Sequence, residues 1–187
     1  LSASDEFILT VVNTNDAPTV TSATADASTN EDAAYTLDAS AIFTDVDASE
    51  VLTYSMSGAP SSLSIDTSTG AITGTPLNAN VGAHTITITV ADDESPTPAS
   101  ASDVFILTVV NVNDAPTLST AISDTSIDED ATTLSLSASF ADVDAGDTLT
   151  YTMSGCPSTI SIDSSTGVIT GTPVNADVGA STCTVTA

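Results

Sequence analysis

The chain repeats itself at the length of a whole domain. Val11-Val12-Asn13-Thr14-Asn15-Asp16-Ala17-Pro18-Thr19 recurs as Val109-Val110-Asn111-Val112-Asn113-Asp114-Ala115-Pro116-Thr117, so Asp16 and Asp114 stand 98 residues apart. Phe43-Thr44-Asp45-Val46-Asp47 recurs as Phe140-Ala141-Asp142-Val143-Asp144, at a spacing of 97. Between residues 43–83 and 140–180, 29 of 41 aligned positions are identical. A period near a hundred residues is far longer than a solenoid unit and equals a typical globular domain, so the chain reads as a string of domains. Residues 1–14 align with 99–112 and read as the last strand of a preceding or neighbouring domain. Residues 15–112 make one complete domain. Residues 113–187 make a second that lacks its last strand, because the alignment runs out at Ala187 opposite Val90. Two repeats exceed the chain by eight residues, the length of the loop Ala91–Pro98. Either the chain is one period of a long covalent array, or the strand Glu6–Val12 of one copy completes the open domain of a neighbour by strand addition.

Each repeat reads as short strands. Thr85-Ile86-Thr87-Ile88-Thr89-Val90 alternates apolar and hydroxylated residues, the period of a half-buried strand. Strands are also expected over 33–37, 51–56, 62–65, 71–73 and 104–110, with Asp66-Thr67-Ser68-Thr69-Gly70 turning a hairpin. About seven strands in a hundred residues predict an all-β chain of tandem seven-stranded Greek-key β-sandwiches, the second incomplete.

Composition narrows the partners. The chain has 187 residues, 25 Asp plus Glu, a single His and no Lys or Arg, for a formal charge of −25. It offers no cation to phosphate, which excludes nucleic acid, and anionic membranes repel it. No apolar run is long enough for a membrane-spanning helix. Disorder is excluded in turn, since 41% of residues are hydrophobic and the mean hydropathy is +0.25. The obvious counter-charge is calcium, a hard cation that takes six to eight oxygens at about 2.3–2.6 Å.

The sequence Val-Asn-x-Asn-Asp-Ala-Pro closing one repeat, followed in the next by Asp-x-Asp ahead of a Leu-Thr-Tyr strand, resembles the cadherin superfamily. It is most similar to the cadherin-like, Ig-like calcium-binding repeats of bacterial surface adhesins. The resemblance implies calcium ions between successive domains, held by the linker and the Asp-x-Asp loop. Carried over by position, junction one would use Asn13, Asn15 and Asp16 with Asp45, Asp47 and Asp92. Junction two would use Asn111, Asn113 and Asp114 with Asp142 and Asp144, and Glu31 occupies an early acidic position from which that family reaches the following junction. The pattern also departs from the family. Leu77-Asn78-Ala79-Asn80 replaces an acidic pair, Asn13 and Asn111 stand where Asp is usual, and Ala17 and Ala115 where Asn is usual. A thinner ligand set implies one or two ions per junction.

Asp66 and Asp163 read as turn formers. Cys156 and Cys183 occupy the places of Ala59 and Ile86, which points Cys183 inward; the pair reads either as a disulfide or as two buried thiols. His84 has no second His or Cys beside it and reads as a surface residue. No phosphate loop or zinc spacing is present. The leading expectation is therefore a non-enzymatic, calcium-rigidified spacer and adhesion scaffold of an extracellular adhesin or filament, joined end to end with copies of the same repeat and in contact with a cell-surface or matrix ligand. The alternatives are a filament subunit joined by strand exchange of residues 1–14, and a glycan- or protein-recognition module.

Overall fold

The computed structural model describes residues 1–47, 50–93, 97–132 and 134–187. Glu94, Ser95 and Pro96 of the loop singled out above lie outside them. The chain divides into two compact units, Leu1–Val112 and Asn113–Ala187.

Unit 1 contains, among the described residues, the strands β1 (Thr19–Val20), β2 (Ala27–Asn30), β3 (Tyr35–Asp38), β4 (Phe43–Thr44), β5 (Thr53–Ser57), β6 (Leu63–Ile65), β7 (Ala71–Gly74), β8 (Gly82–Ala91) and β9 (Ser100–Val110). A four-stranded sheet has the order β2-β9-β8-β5 and a three-stranded sheet the order β3-β7-β6. The chain crosses from one sheet to the other between β2 and β3, β3 and β5, β5 and β6, and β7 and β8. The inward residues of both sheets share one core, in which Ile72 of the smaller sheet meets Ile86, Ile88, Val90, Phe105 and Leu107 of the larger. Phe43 packs edge-on against Tyr54, ring centroids 6.4 Å apart. The alternation expected of residues 85–90 is observed, with Ile86, Ile88 and Val90 fully buried.

The longest pairing is β8 with β9, antiparallel over ten residues with Ile86 opposite Phe105. On its other side β9 takes β2 in parallel, Ala27–Asn30 against Leu107–Val110. Side chains pin this edge. The Thr24 N–H donates to Asp103 Oδ2 at 2.7 Å, and the Ile106 N–H to Asp26 Oδ1 at 2.7 Å. The first strand is divided, since β1 pairs with the short β4 while β2 joins β9. Counting β1 and β2 as halves of one strand, and β4 as an addition, unit 1 is a seven-stranded sandwich. The expected strands shift by up to four residues at their ends, the most at β9, which begins at Ser100, and β8 begins at Gly82 because its ladder with β9 continues to Val109.

The hairpin at 66–70 is an Asx-turn, as expected: Asp66 Oδ1 accepts the N–H groups of Thr69 and Ser68 at 2.8 and 2.9 Å. Those bonds hold its carboxyl below the ordinary value, and Asp163 repeats the arrangement with Thr166 and Ser165. Gly58 has φ 76°, and a Cβ there would strike the Thr85 carbonyl oxygen; Gly155 in the other repeat stands in the same relation to Thr182. These shared constraints explain why Met-Ser-Gly recurs in both repeats.

Unit 2 contains β10 (Thr117–Thr120), β11 (Leu134–Ser137), β12 (Ser139–Ala141), β13 (Thr152–Ser154), β14 (Ile160–Ile162), β15 (Val168–Gly171) and β16 (Thr184–Thr186). Its three-stranded sheet β11-β15-β14 repeats β3-β7-β6. Of the larger sheet only β13 and β16 are paired among the described residues. Nothing in residues 113–187 corresponds to β9, and its two neighbours suffer for it. Residues 125–128, the counterpart of β2, carry no strand, and β16 has three residues where β8 has ten.

Residues 1–14, expected to be a strand of another domain, form no strand here, and Phe7, Ile8 and Leu9 are 84%, 94% and 77% exposed. Cys156 and Cys183 form a disulfide with Cα atoms 4.7 Å apart. Cys183 is exposed, contrary to the inward placement expected from Ile86. The reason is that Phe105, which covers Ile86, has no counterpart in unit 2. The bridge links the segments flanking β13 and β16 and replaces contacts that a complete sheet would supply. Closing a loop of 27 residues stabilises by about 3–4 kcal/mol in the chain-entropy account. Reduction is therefore expected to lower the unfolding free energy of unit 2 by about that amount and leave the unit 1 transition in place, as read by urea unfolding with and without reductant.

Candidate metal centre

The acidic residues singled out by position gather at defined places in each unit. In unit 1 the Asp16 N–H donates to Asp47 Oδ2 at 2.7 Å, and the Asp47 N–H to Asp45 Oδ1 at 2.9 Å. Asn15 Nδ2 donates to Asp92 Oδ2 at 3.0 Å, and the Ala99 N–H to Asp92 Oδ1 at 2.9 Å. Linker, Asp-x-Asp loop and the end of β8 are thus tied by side chains 77 and 31 residues apart in sequence. Asp92 is 3% exposed. Asn15 Oδ1 and Asp45 Oδ2 are buried oxygens with no hydrogen-bond donor. Asn13 stays exposed on the linker.

The remaining unit 1 candidates lie at the other end of β8 and β9. The Glu31 N–H donates to the Val110 carbonyl at 3.0 Å, and Glu31 Oε1 accepts the Val112 N–H at 2.8 Å. Its other oxygen, Oε2, is buried without a donor, and the residue is 2% exposed. Asn111 is exposed, its Oδ1 3.5 Å from Asn78 Nδ2. In unit 2 the Asp114 N–H donates to Asp144 Oδ2 at 2.6 Å and the Asp144 N–H to Asp142 Oδ1 at 3.0 Å, the same chain of bonds as in unit 1. Asn113 Nδ2 donates to the Asp114 carbonyl. Carboxylate oxygens of Asp142, Asp144 and Asp147 all lie within 4.8 Å of one another.

This arrangement suits a hard cation. An ionised carboxylate costs several kcal/mol to withdraw from water unless its charge is met. The chain contains no Lys or Arg to meet it. The clustered atoms are oxygens of carboxylate and amide groups, the donor set that calcium selects and softer metals do not.

Two acidic positions escaped the sequence reading. Asp147 joins Asp142 and Asp144, and Glu50 stands at the same place in the other repeat. The signal was available as an acid three residues after each Asp-x-Asp. Glu50 lies against Asp93, whose Oδ1 accepts the Val51 N–H at 3.1 Å. The hydrogen bond of a protonated Glu50 to the Asp93 carboxylate, with burial and the charge of Asp93, pushes the Glu50 carboxyl up to about 7 and holds Asp93 low. His84, read as a surface residue, is half-buried, its Nε2 2.7 Å from the Asn80 carbonyl.

The family described as "Putative Ig domain" matches residues 17–110 and again 115–187. The chain belongs to this Ig-domain family. Among solved structures, the Ig-domain chain is similar to mouse cadherin-23 EC22-24, with TM-score 0.54 and 22% identity over 84% of this chain and 54% of that one. It is similar to human CDH23 EC21-23, with TM-score 0.52 and 21% identity over 87% and 55%. Drosophila N-cadherin EC1-4 matches at TM-score 0.54 and 16% identity over 91% and 48%. The chain therefore spans about half the length of these structures, and the likeness is one of fold. No curated protein matches the sequence. The Ig-domain repeats thus share the cadherin-like fold expected from the linker and Asp-x-Asp pattern.

The proton shared by Glu50 and Asp93 has a testable signature. A folded value raised from near 4.5 to about 7 contributes stability that is complete below pH 4.5 and is lost as pH rises through 7. Carboxyl carbon shifts from NMR of the metal-free protein are expected to show one Glu titrating near pH 7, absent in Glu50→Gln.

Proposed function

We propose that the chain is a calcium-rigidified structural repeat of an extracellular adhesin or filament, acting as spacer and adhesion scaffold rather than as a catalyst. The observation that carries this reading is the bonded set Asn15, Asp16, Asp45, Asp47 and Asp92, with buried oxygens lacking donors in a chain without Lys or Arg. Calcium supplies the missing positive charge, and Asn13 adds an oxygen from the linker. Asn113, Asp114, Asp142 and Asp144 form the second set, within unit 2. A linker engaged by the same ion as the following domain bends less, because each bend breaks ion–oxygen contacts. Repetition of that constraint turns a string of sandwiches into a spacer. An extracellular setting agrees with the Cys156–Cys183 disulfide and with millimolar calcium outside cells.

Calcium that binds only the folded protein stabilises it by about 2.7 kcal/mol at a hundred times its Kd. Scanning calorimetry is therefore expected to show Tm rising with calcium and falling on chelation, with Asp47→Asn and Asp144→Asn each reducing the gain. An unchanged Tm between saturating calcium and excess chelator would contradict the reading.

A further inference from the structure

We propose that the outer face of the sheet β2-β9-β8-β5 is a contact surface whose occupant is the same face of a second copy of this chain. The two central strands differ in pattern. On β8, Thr85, Thr87 and Thr89 alternate with the buried Ile86, Ile88 and Val90, as in a strand with one wet face. On β9, Val104-Phe105-Ile106-Leu107-Thr108-Val109-Val110 is apolar at six of seven positions. A near-continuous apolar run is the pattern of a strand covered on both faces. The core covers Phe105, Leu107 and Val109, while Val104, Ile106 and Val110 are 55%, 40% and 44% exposed on the other side. The register sets Val104 beside Thr87 and Ile106 beside Thr85, so aliphatic side chains and threonine methyls form one patch.

Charge selects the occupant. The chain carries −25 and has no Lys or Arg. The outward residues of β2, β5, β8 and β9 are Ser, Thr, Asn, Ala, Val and Ile, and none is charged. Asp26, just before β2, stands at the edge with its Oδ1 taken by the Ile106 N–H. The outer side of the smaller sheet is different, since Asp38 is exposed there beside Thr36 and Thr73. A cationic partner is drawn to carboxylates elsewhere on the surface. A second copy is repelled by those carboxylates and meets no like charge on this face.

Covering the face costs little. Thr89 Oγ1 and Ser102 Oγ lie 2.9 Å apart, and Ser55 Oγ donates to the Thr89 carbonyl at 3.3 Å, so these hydroxyls already have partners. The strands hold 4, 5, 10 and 11 residues, which at about 3.3 Å by 4.8 Å each make a face of about 480 Å². Two such faces bury about 1,000 Å², the lower limit of a specific interface, so the contact is weak and reversible. A patch that meets itself is isologous and closes as a dimer. The contact uses none of the carboxylate sets and does not rest on the calcium reading.

The test is sedimentation equilibrium of the 187-residue chain from about 10 μM to about 1 mM, in excess chelator with about 0.5 M sodium chloride and again with calcium. Both conditions are expected to show a concentration-dependent equilibrium between 18.6 kDa and twice that mass, strengthened by salt. On dilution, NMR amide shifts are expected to move at Thr85, Thr87, Val104 and Ile106 and to stay fixed on β3, β6 and β7. Val104→Thr/Ile106→Thr keeps β-branched side chains on the strand and is expected to raise Kd about tenfold or more. Thr87→Asp sets a carboxylate of each copy in the contact and is expected to stay monomeric, while Thr36→Asp/Thr73→Asp on the smaller sheet dimerises like the parent; circular dichroism checks that each variant is folded. A dimer seen only with calcium, with the same dilution shifts, still supports the face and assigns the remaining relief of repulsion to the ion. A chain monomeric at about 1 mM in both conditions, a dimer unaffected by both outer-face variants, or dilution shifts confined to the edge strands β2 and β5 would each overturn the proposal.

Discussion

The pairing of β8 with β9 is the constraint on which the rest of the structure depends. Ten opposed residues bring Ile86, Ile88 and Val90 beside Phe105 and Leu107, and these side chains form nearly half of the buried core. The same strand pins both ends of unit 1. At its start, Ala99 donates to Asp92, which in turn holds Asn15. At its finish, Val110 and Val112 hold Glu31. Apolar burial and the placement of acids are therefore not separate tasks. One strand drives the sandwich closed and, in doing so, positions carboxylates at its two ends.

Unit 2 shows the converse. Without a counterpart of β9 it keeps the three-stranded sheet, the Phe140–Tyr151 edge-on contact and the Asp163 turn, all of which are local to other elements. It loses the parallel strand next to β9, most of the length of β16 and the ordered place of Glu129. A disulfide links the segments flanking β13 and β16. Comparison of two related repeats in one chain thus shows what each strand does, since much of the sequence recurs while one neighbour changes.

Much of this was legible in the residues. The Thr-Ile alternation placed β8 on the correct face, and Asp-Thr-Ser-Thr-Gly announced an Asx-turn because its geometry is local. The Asn-Asp and Asp-x-Asp pattern found the linker-to-loop bonds because side chain and backbone partners recur in both repeats. What stayed hidden depended on distant partners. The division of the first strand follows from β4 and β9 competing for it. The exposure of Cys183 follows from a missing neighbour, and the half-burial of His84 from the Asn80 carbonyl. Glu50 and Asp147 were overlooked because an acid three residues beyond a loop becomes part of a cluster only when the loop folds back.

The central claim is that the acidic sets are ligands of calcium rather than solvated charge. A diffraction map of the protein grown in calcium, with anomalous differences to identify the ion, tests it most directly. The account predicts a calcium peak about 2.3–2.6 Å from Asp45 Oδ2 and Asn15 Oδ1, and a second such peak at the Asp142–Asp144 loop. Water or empty density at both places, in crystals containing millimolar calcium, would contradict it.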